Sequence, residues 1–455
     1  MSRPTREQLE QWGSRLVGAA VFPWSPGYDK ARQGDPLYPA SPEVIGYCVT
    51  PSDVKHCLEL ARTWGYAVTC RSGGHSTAGF SVNDGLVIDV SRISYVSVDP
   101  AARLARVGAG TAFRVLDSVL NSYRLHVPTG GCGTVCVGGF VQGGGYGFTS
   151  RMFGMNSDNV VQVTVMRVDG TIVVADAQQE RELFWGVRGG TGNNFGVLLE
   201  VVYRLTDLWR VRGFAVRWDR ENAPAGLDLL QRSYMRGATD ARLGHQVALA
   251  TIKGEIGVAM IGMYDGSDER LRETLAPLLA TGGDLVVDKE GSYAGLNEPL
   301  LLELLDPPTD SMLELKQAGY LVKQLGVDGW DRVLERFAAT PNAFNLALIE
   351  VYGAAIEKVP VSSSAFVHRE VDGDFFVDSF FEDGGDFTQR PEAQEWLDSM
   401  FEAMDPYLNG HVYQNYPSRG LADYRSAYFG PAAERLARLR ATMDPDGVLR
   451  FPQSV

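Results

Sequence analysis

An α+β fold in two units is what the sequence predicts, and three observations predict it. Through residue 205, short β-branched runs alternate with single amphipathic helices, as expected for sheets that carry packed helices. Beyond it, several strand-like runs with interspersed helices point to an antiparallel sheet covered on one face. Between the runs 160–168 and 171–175 stands Asp169-Gly170, a strong hairpin-turn dipeptide.

The elements follow in order. Residues 41–65 read as strand then helix, with Ser52 as N-cap, Val54, Cys57, Leu58 and Ala61 on one face, and Gly65 as the stop. Short strands are predicted at 67–69, 86–90, 95–98 and 104–107. A helix over 111–123 carries Phe113, Leu116 and Leu120 on one stripe, and a strand spans 195–205. The second unit has predicted strands at 247–252, 257–263, 347–352, 365–370 and 374–381, and helices at 269–279, 329–337 and 391–404. After Gly410 the chain is tyrosine-rich and closes with a helix over 431–443 and Asp444-Pro445-Asp446-Gly447. The predicted units are 1–205, 206–409 and a terminal segment 410–455.

Composition narrows the function classes. The chain has 455 residues, 45% apolar and 22% charged, which are ordinary globular values with room for two or three domains. Forty-two basic against 56 acidic residues give a net charge of −14, which argues against nucleic acid as a partner. No apolar run reaches the ~18 residues of a membrane span, so no membrane partner is expected. The polar start lacks the plan of an export signal, so a cytoplasmic location is expected. Five cysteines, Cys48, Cys57, Cys70, Cys132 and Cys136, are an odd set crowded into the first third, which is no disulfide framework. Oligomeric state is not legible here.

Of 51 glycines, nine fall in the 18 residues from Gly130 to Gly147. That density forbids a regular helix, each glycine costing ~1 kcal/mol against alanine. It suits a backbone that lines a flat or phosphate-bearing ligand. A second loop, Arg71-Ser72-Gly73-Gly74-His75-Ser76, directly follows a strand and can form an anion nest, with Arg71 and Ser72 adding donors. Neither loop is a Walker sequence. Gly108-Ala109-Gly110 leads into a helix, but Phe113 stands where a dinucleotide fingerprint needs its third glycine. Cys132-x-x-x-Cys136 with His75 or His126 lacks a second ligand pair, so no metal site is predicted. The residues alone lead to a large enzyme with a glycine-rich cradle for a bulky cofactor.

Taken together, the loop ending in His75, the G-x-C-x-x-V element at Gly130 to Val135 and the G-G-G-Y-G run at Gly143 to Gly147 resemble a known family. It is the berberine bridge enzyme-like branch of the vanillyl-alcohol oxidase flavoproteins. Arg188-Gly189-Gly190-Thr191-Gly192-Asn193-Asn194-Phe195-Gly196-Val197, Tyr413-Gln414-Asn415-Tyr416, Asp444-Pro445 and the closing Phe451-Pro452-Gln453-Ser454 extend the resemblance over nearly the whole chain.

The resemblance implies a PCMH-type FAD-binding domain, a substrate domain built on an antiparallel sheet, and FAD as cofactor. Arg71, Ser72, Gly73, Gly74, His75 and Ser76 would wrap its pyrophosphate, with His75 bonded to the 8α-methyl. Cys132 would bond to flavin C6. There Gly133 replaces the family's usual proline, and Cys136 is the other linker candidate. Gly131, Val135, Gly138, Gly139, Gly144, Gly147 and Val197 complete the cofactor set, and Asn415 and Tyr416 support flavin and base. Val135 at the oxygen-gating position implies O2 as acceptor. Tyr146 and Tyr413 would face the substrate, with Asp378 as polarising carboxylate or base. The implied reaction moves hydride from a hydroxyl-bearing carbon of a sugar, oligosaccharide or hydroxylated natural product to flavin, and yields H2O2. Beside it stand an oxidative cyclase or dehydrogenase with another acceptor, and a binding protein without turnover.

Overall fold

The computed structural model describes residues 3–236, 240–309, 311–382 and 387–455. Two larger sheets form the first unit, beside a two-stranded pairing of Leu125–His126 with Thr206–Asp207. One has four strands in the order Ala19–Val21, Val44–Tyr47, Leu86–Asp89, Val68–Arg71, and its last three strands run parallel. The other is antiparallel, in the order Val96–Asp99, Leu104–Gly108, Val197–Arg204, Val160–Met166, Ile172–Asp176. Helix Pro51–Trp64 packs Val54, Cys57, Leu58 and Ala61 into the core of this unit, and Gly65 ends it at φ 73°. Its cap is Thr50 and not Ser52. The Thr50 hydroxyl accepts from the Asp53 amide while the Asp53 carboxylate accepts from the Thr50 amide, and Pro51, which has no N–H to satisfy, fills the first helical position.

The glycine-rich run does contain a helix, Val137–Gln142, against expectation. Val137 and Val141 are buried in the first unit's core. That packing outweighs the helix penalty of Gly138 and Gly139.

In the second unit a seven-stranded sheet is antiparallel at every pairing. Its order is Asp284–Gly291, Val211–Asp219, Glu255–Tyr264, Leu243–Ile252, Leu346–Val351, Gly373–Glu382, Met312–Leu321. Helices Ala223–Leu230, Asp268–Leu279, Gly326–Ala338 and Arg390–Met404 cover one face. There Val216, Val247, Leu313, Leu315, Ile349, Phe375 and Val377 join one apolar core. The intervening positions Glu314, Lys316, Glu350, Asp374 and Asp378 lie on the other face, turned towards the first unit. The predicted strand at 365–370 does not form. The amides of Ala365 and Phe366 donate to the carbonyls of Trp185 and Arg188 at 3.1 and 3.2 Å, so the free carbonyls at the end of helix Arg181–Val187 take the place of a ladder.

Two buried arginines tie the units together. Arg151 reaches from helix Ser150–Phe153 to the carbonyls of Leu243, Met235 and Tyr352 in the second unit. Arg369 grips Asp158 through two bonds of 2.9 and 2.7 Å. The terminal segment returns to the first unit: the Arg450 amide donates to the Val68 carbonyl at 2.9 Å, beside a parallel bridge between Val68 and Leu449.

Candidate active site

A cavity of about 490 Å³ lies between the units. Three backbone segments of the first unit form its wall: the loop 71–76, the glycine-rich run from residue 130, and the loop Thr191, Gly192, Asn193. In that last loop Thr191 and Asn193 both hold the left-handed conformation, φ 62° each. The strain is offset at Asn193 by its side chain, which accepts from the Cys70 amide at 2.6 Å and donates to Thr69 at 3.1 Å. The floor is the inner face of the sheet, with Glu314, Lys316, Glu350 and Asp378, and the segment from Tyr413 to Pro417 closes the far side.

The wall fits an extended, phosphate-bearing cofactor. Among the described residues, the amides of Gly73, Gly74 and His75 have no acceptor within the protein, so successive N–H groups stand free for an anion. Arg71 is not the donor expected of it. Its guanidinium turns inward to Asp89 at 2.6 Å and to the Gln33 carbonyl at 3.1 Å, so it pins the strand beneath the loop.

His75 and Cys132 meet on one hydroxyl. Thr134 Oγ1 is 3.0 Å from His75 Nε2 and 3.2 Å from Cys132 Sγ. Partial desolvation by the protein around it lowers the basicity of His75, which favours the neutral imidazole a covalent link requires. The Cys132 thiol is exposed. Cys136 also borders the cavity, but its thiol is directed at the Gly110 carbonyl at 3.3 Å, and burial pushes it up to about 11. Of the two thiols, Cys132 is the accessible one.

The predicted substrate-facing residues part company here. Tyr413 borders the cavity, and its hydroxyl accepts from the Gly145 amide at 2.9 Å and the Asn415 side chain at 3.0 Å. Both lone pairs are engaged, which leaves its own proton to donate. Tyr146 also borders the cavity, yet its hydroxyl points away and reaches the carbonyls of Val351 and His245 at 3.0 and 3.2 Å. Asp378 lies directly across from Lys316 on the neighbouring strand and is paired with it. The Lys316 ammonium also lies 3.1 Å from Glu314 and sits over the rings of Phe376 and Tyr416. Burial pushes the Asp378 carboxyl up to about 8 against the pull of that ammonium. Burial alone would lower Lys316, but the two carboxylates outweigh it and hold the lysine charged.

Ser72, Gly73, Gly74, Ser76, Gly131, Val135, Gly139, Asn415 and Tyr416 all line the same cavity. Four predicted residues do not. Gly138 and Gly147 pack behind the wall on the carbonyls of Ala109 and Thr129, and Gly144 packs on the Phe366 ring. Val197 lies in the five-stranded sheet, paired with Met166. Glu314, Lys316 and Glu350 were not foreseen. The signal for the first two was an alternation along Met312–Leu321 that puts Glu314, Lys316 and Tyr320 on one face and Leu313, Leu315 and Leu321 on the other.

Comparison with known proteins agrees with this geometry. Residues 42–176 match the family described as FAD binding domain, and residues 412–455 the one described as Berberine and berberine like. The FAD-linked oxidoreductase YvdP of Bacillus subtilis is 28% identical over 97% of this chain and 98% of its own length. The carbohydrate oxidase of Microdochium nivale is 27% identical over 92% of this chain and 88% of its own. The solved structure of Physcomitrella patens BBE-like 1 superposes with a TM-score of 0.88 at 24% identity, covering 98% of both chains.

Proposed function

The chain belongs to the berberine bridge enzyme-like FAD-linked oxidoreductases, and from that premise we propose that it oxidises a hydroxyl-bearing carbon, with O2 as the final acceptor. The observation that carries this reading is the content of one cavity. At one end His75 and Cys132 meet on Thr134, and on the floor stand a buried carboxyl and ammonium, Asp378 and Lys316. FAD bound along the wall supplies the hydride acceptor. The free amides of the 73–75 loop would hold its pyrophosphate, and His75 and Cys132 would be its covalent attachments.

The rest is chemistry of this chain. A substrate hydroxyl on the floor meets Asp378, whose ionised form takes the O–H proton as the carbon gives up hydride. Lys316 keeps that carboxylate from rising further. Tyr413, both of its lone pairs occupied, donates its proton into the site and orients the substrate oxygen. Val135, small and at the cavity edge, supports O2 as acceptor. The carbohydrate oxidase relative and the polar floor of Glu314, Lys316, Glu350 and Asp378 favour a polyhydroxylated substrate, a sugar or oligosaccharide, over an apolar alcohol.

Two measurements test the reading. After acid denaturation the yellow colour should stay with the protein at the mass of chain plus FAD; colour lost with the supernatant would remove the covalent link. Across a panel of sugars and alcohols, a substrate that bleaches the flavin should release hydrogen peroxide in air. Bleaching without peroxide would exclude O2 as the acceptor.

A further inference from the structure

Helix Tyr293–Leu302 belongs to the second unit, where it follows the edge strand Asp284–Gly291, yet one of its faces is spent on the first unit. Side chains 293, 297, 298 and 301 share that face and meet the backbone of the Thr129–Gly133 stretch. The Tyr293 hydroxyl donates to the Thr129 carbonyl at 2.9 Å, and the Asn297 side chain donates to the Gly130 carbonyl at 2.8 Å. Glu298 Oε1 accepts from the Gly133 amide at 3.3 Å. Leu301 lies over Gly131, where the first carbon of a side chain would come within 2.7 Å of it. Tyr293 and Asn297 are buried, whereas Glu298 is exposed.

This stretch has little stiffness of its own. Gly130, Gly131 and Gly133 surround Cys132, and glycine loses more conformational freedom on ordering than any other residue. The first unit holds part of it: the Phe113 and Arg114 amides, at the start of helix Phe113–Ser122, donate to the Val135 and Gly133 carbonyls at 3.0 Å each. The carbonyls of 129 and 130 and the amide of 133 are taken by helix Tyr293–Leu302 instead. A proline at 133 would be stiff but without an N–H; Gly133 is loose and has one, so the Glu298 bond supplies what the residue lacks.

We propose that Asn297 and Glu298 are positioning residues for cofactor attachment: from the second unit they hold the loop that carries Cys132, and so set where its thiol stands at the cavity. The inference rests on the covalent-flavin reading above. Attachment replaces the Cys132 S–H and the flavin C6–H by one S–C6 bond, and two hydrogens with two electrons pass to O2 as H2O2. Such a bond forms only while the sulfur is held in contact with one ring carbon, and a wandering loop spends its time out of reach. Holding the loop also holds Thr134, whose hydroxyl is 3.2 Å from Cys132 Sγ and 3.0 Å from His75 Nε2, so the two attachment points keep their spacing. Cys132 lines the cavity, but Asn297 and Glu298 do not, and they act through the backbone between.

The holoenzyme tests this at the link and at the loop. After denaturation, iodoacetamide and peptide mass report the fraction of Cys132 left as a free thiol. Glu298→Ala should raise that fraction roughly fivefold, the population shift that loss of one hydrogen bond brings, while FAD stays on the chain through His75. Its absorbance should move towards that of Cys132→Ala. Asn297→Ala should act alike; Asn297 is buried, so exposed Glu298 decides if that variant does not fold. Glu298→Gln keeps an acceptor oxygen and should restore the link, and Thr50→Ala, a mild destabilisation far from the loop, should leave it intact. An unchanged thiol fraction in Glu298→Ala, or a raised one in Glu298→Gln or Thr50→Ala, overturns the proposal. A wholly free Cys132 in the unmodified enzyme would sink the attachment reading instead. Hydrogen exchange over residues 129–135 then decides the positioning: it should be roughly fivefold faster in Glu298→Ala than in Glu298→Gln, and equal rates overturn it.

Discussion

The wall of the cavity contributed by the first unit is made of backbone, and the floor contributed by the seven-stranded sheet is made of side chains. On the wall, function lies in free amides and close approach, so glycine is the working residue and a methyl group is the threat. On the floor, the proposed chemistry depends on charge held out of water, so Asp378 and Lys316 are the residues it rests on and a change of charge is the threat. On the proposed reading, cofactor recognition depends on the shape of the chain, whereas the reaction depends on buried charge. The two halves should therefore respond to different perturbations.

The largest effect is expected on the floor. Asp378→Asn should slow flavin reduction by on the order of 10²- to 10⁴-fold while the flavin stays bound, read by anaerobic stopped-flow absorbance. An unchanged rate would move the base elsewhere. In the unmodified enzyme the reduction rate should rise with pH through about 8, because the base works only when ionised. Lys316→Met removes the cation that pulls this carboxyl down, so the midpoint should move to higher pH; a midpoint that moved down would break the pairing argument.

Wall changes should affect stability and cofactor more than proton transfer. An alanine methyl at Gly143 would lie 1.9 Å from Asn415 Oδ1, so Gly143→Ala should cost about 1–3 kcal/mol in thermal unfolding and disturb the Asn415 bond to Tyr413. Cys132→Ala should keep the colour through His75 and change the flavin spectrum, whereas Cys136→Ala should leave the spectrum as it was. The reverse result would exchange the two thiols. Smallest of all, and remote from the cavity, Thr50→Ala should cost about 1 kcal/mol through its cap, with the reduction rate untouched.

The same contrast explains what the sequence disclosed. Backbone-built sites leave local traces, so the 71–76 loop and the run from Gly130 could be read directly, and they do line one cavity. The floor is assembled across strands: Lys316 and Asp378 are 62 positions apart and meet only through strand register. Strand Met312–Leu321 went unrecognised because Gln317 and Gly319 interrupt the apolar face begun by Leu313 and Leu315, and with it went half of the pair. Helix Val137–Gln142 escaped for the opposite reason, its propensity being poor and its stability tertiary. At 365–370 β-like composition misled, because the segment's hydrogen bonds run to carbonyls at the end of helix Arg181–Val187 and its Arg369 to Asp158. A side chain's identity was legible, but the direction of its polar end was not, as Arg71 and Tyr146 illustrate.

The arginine contacts between the units bear on how a substrate gets in. Opening the jaws would break the carbonyl bonds of Arg151 and the paired bonds of Arg369 to Asp158 together, and exchanging each for water forfeits about 1.5–3 kcal/mol. These contacts oppose any parting of the two units and favour a gap of fixed width between wall and floor. Ligands must thread through its mouth, and selection falls on what fits the fixed gap between flavin wall and charged floor.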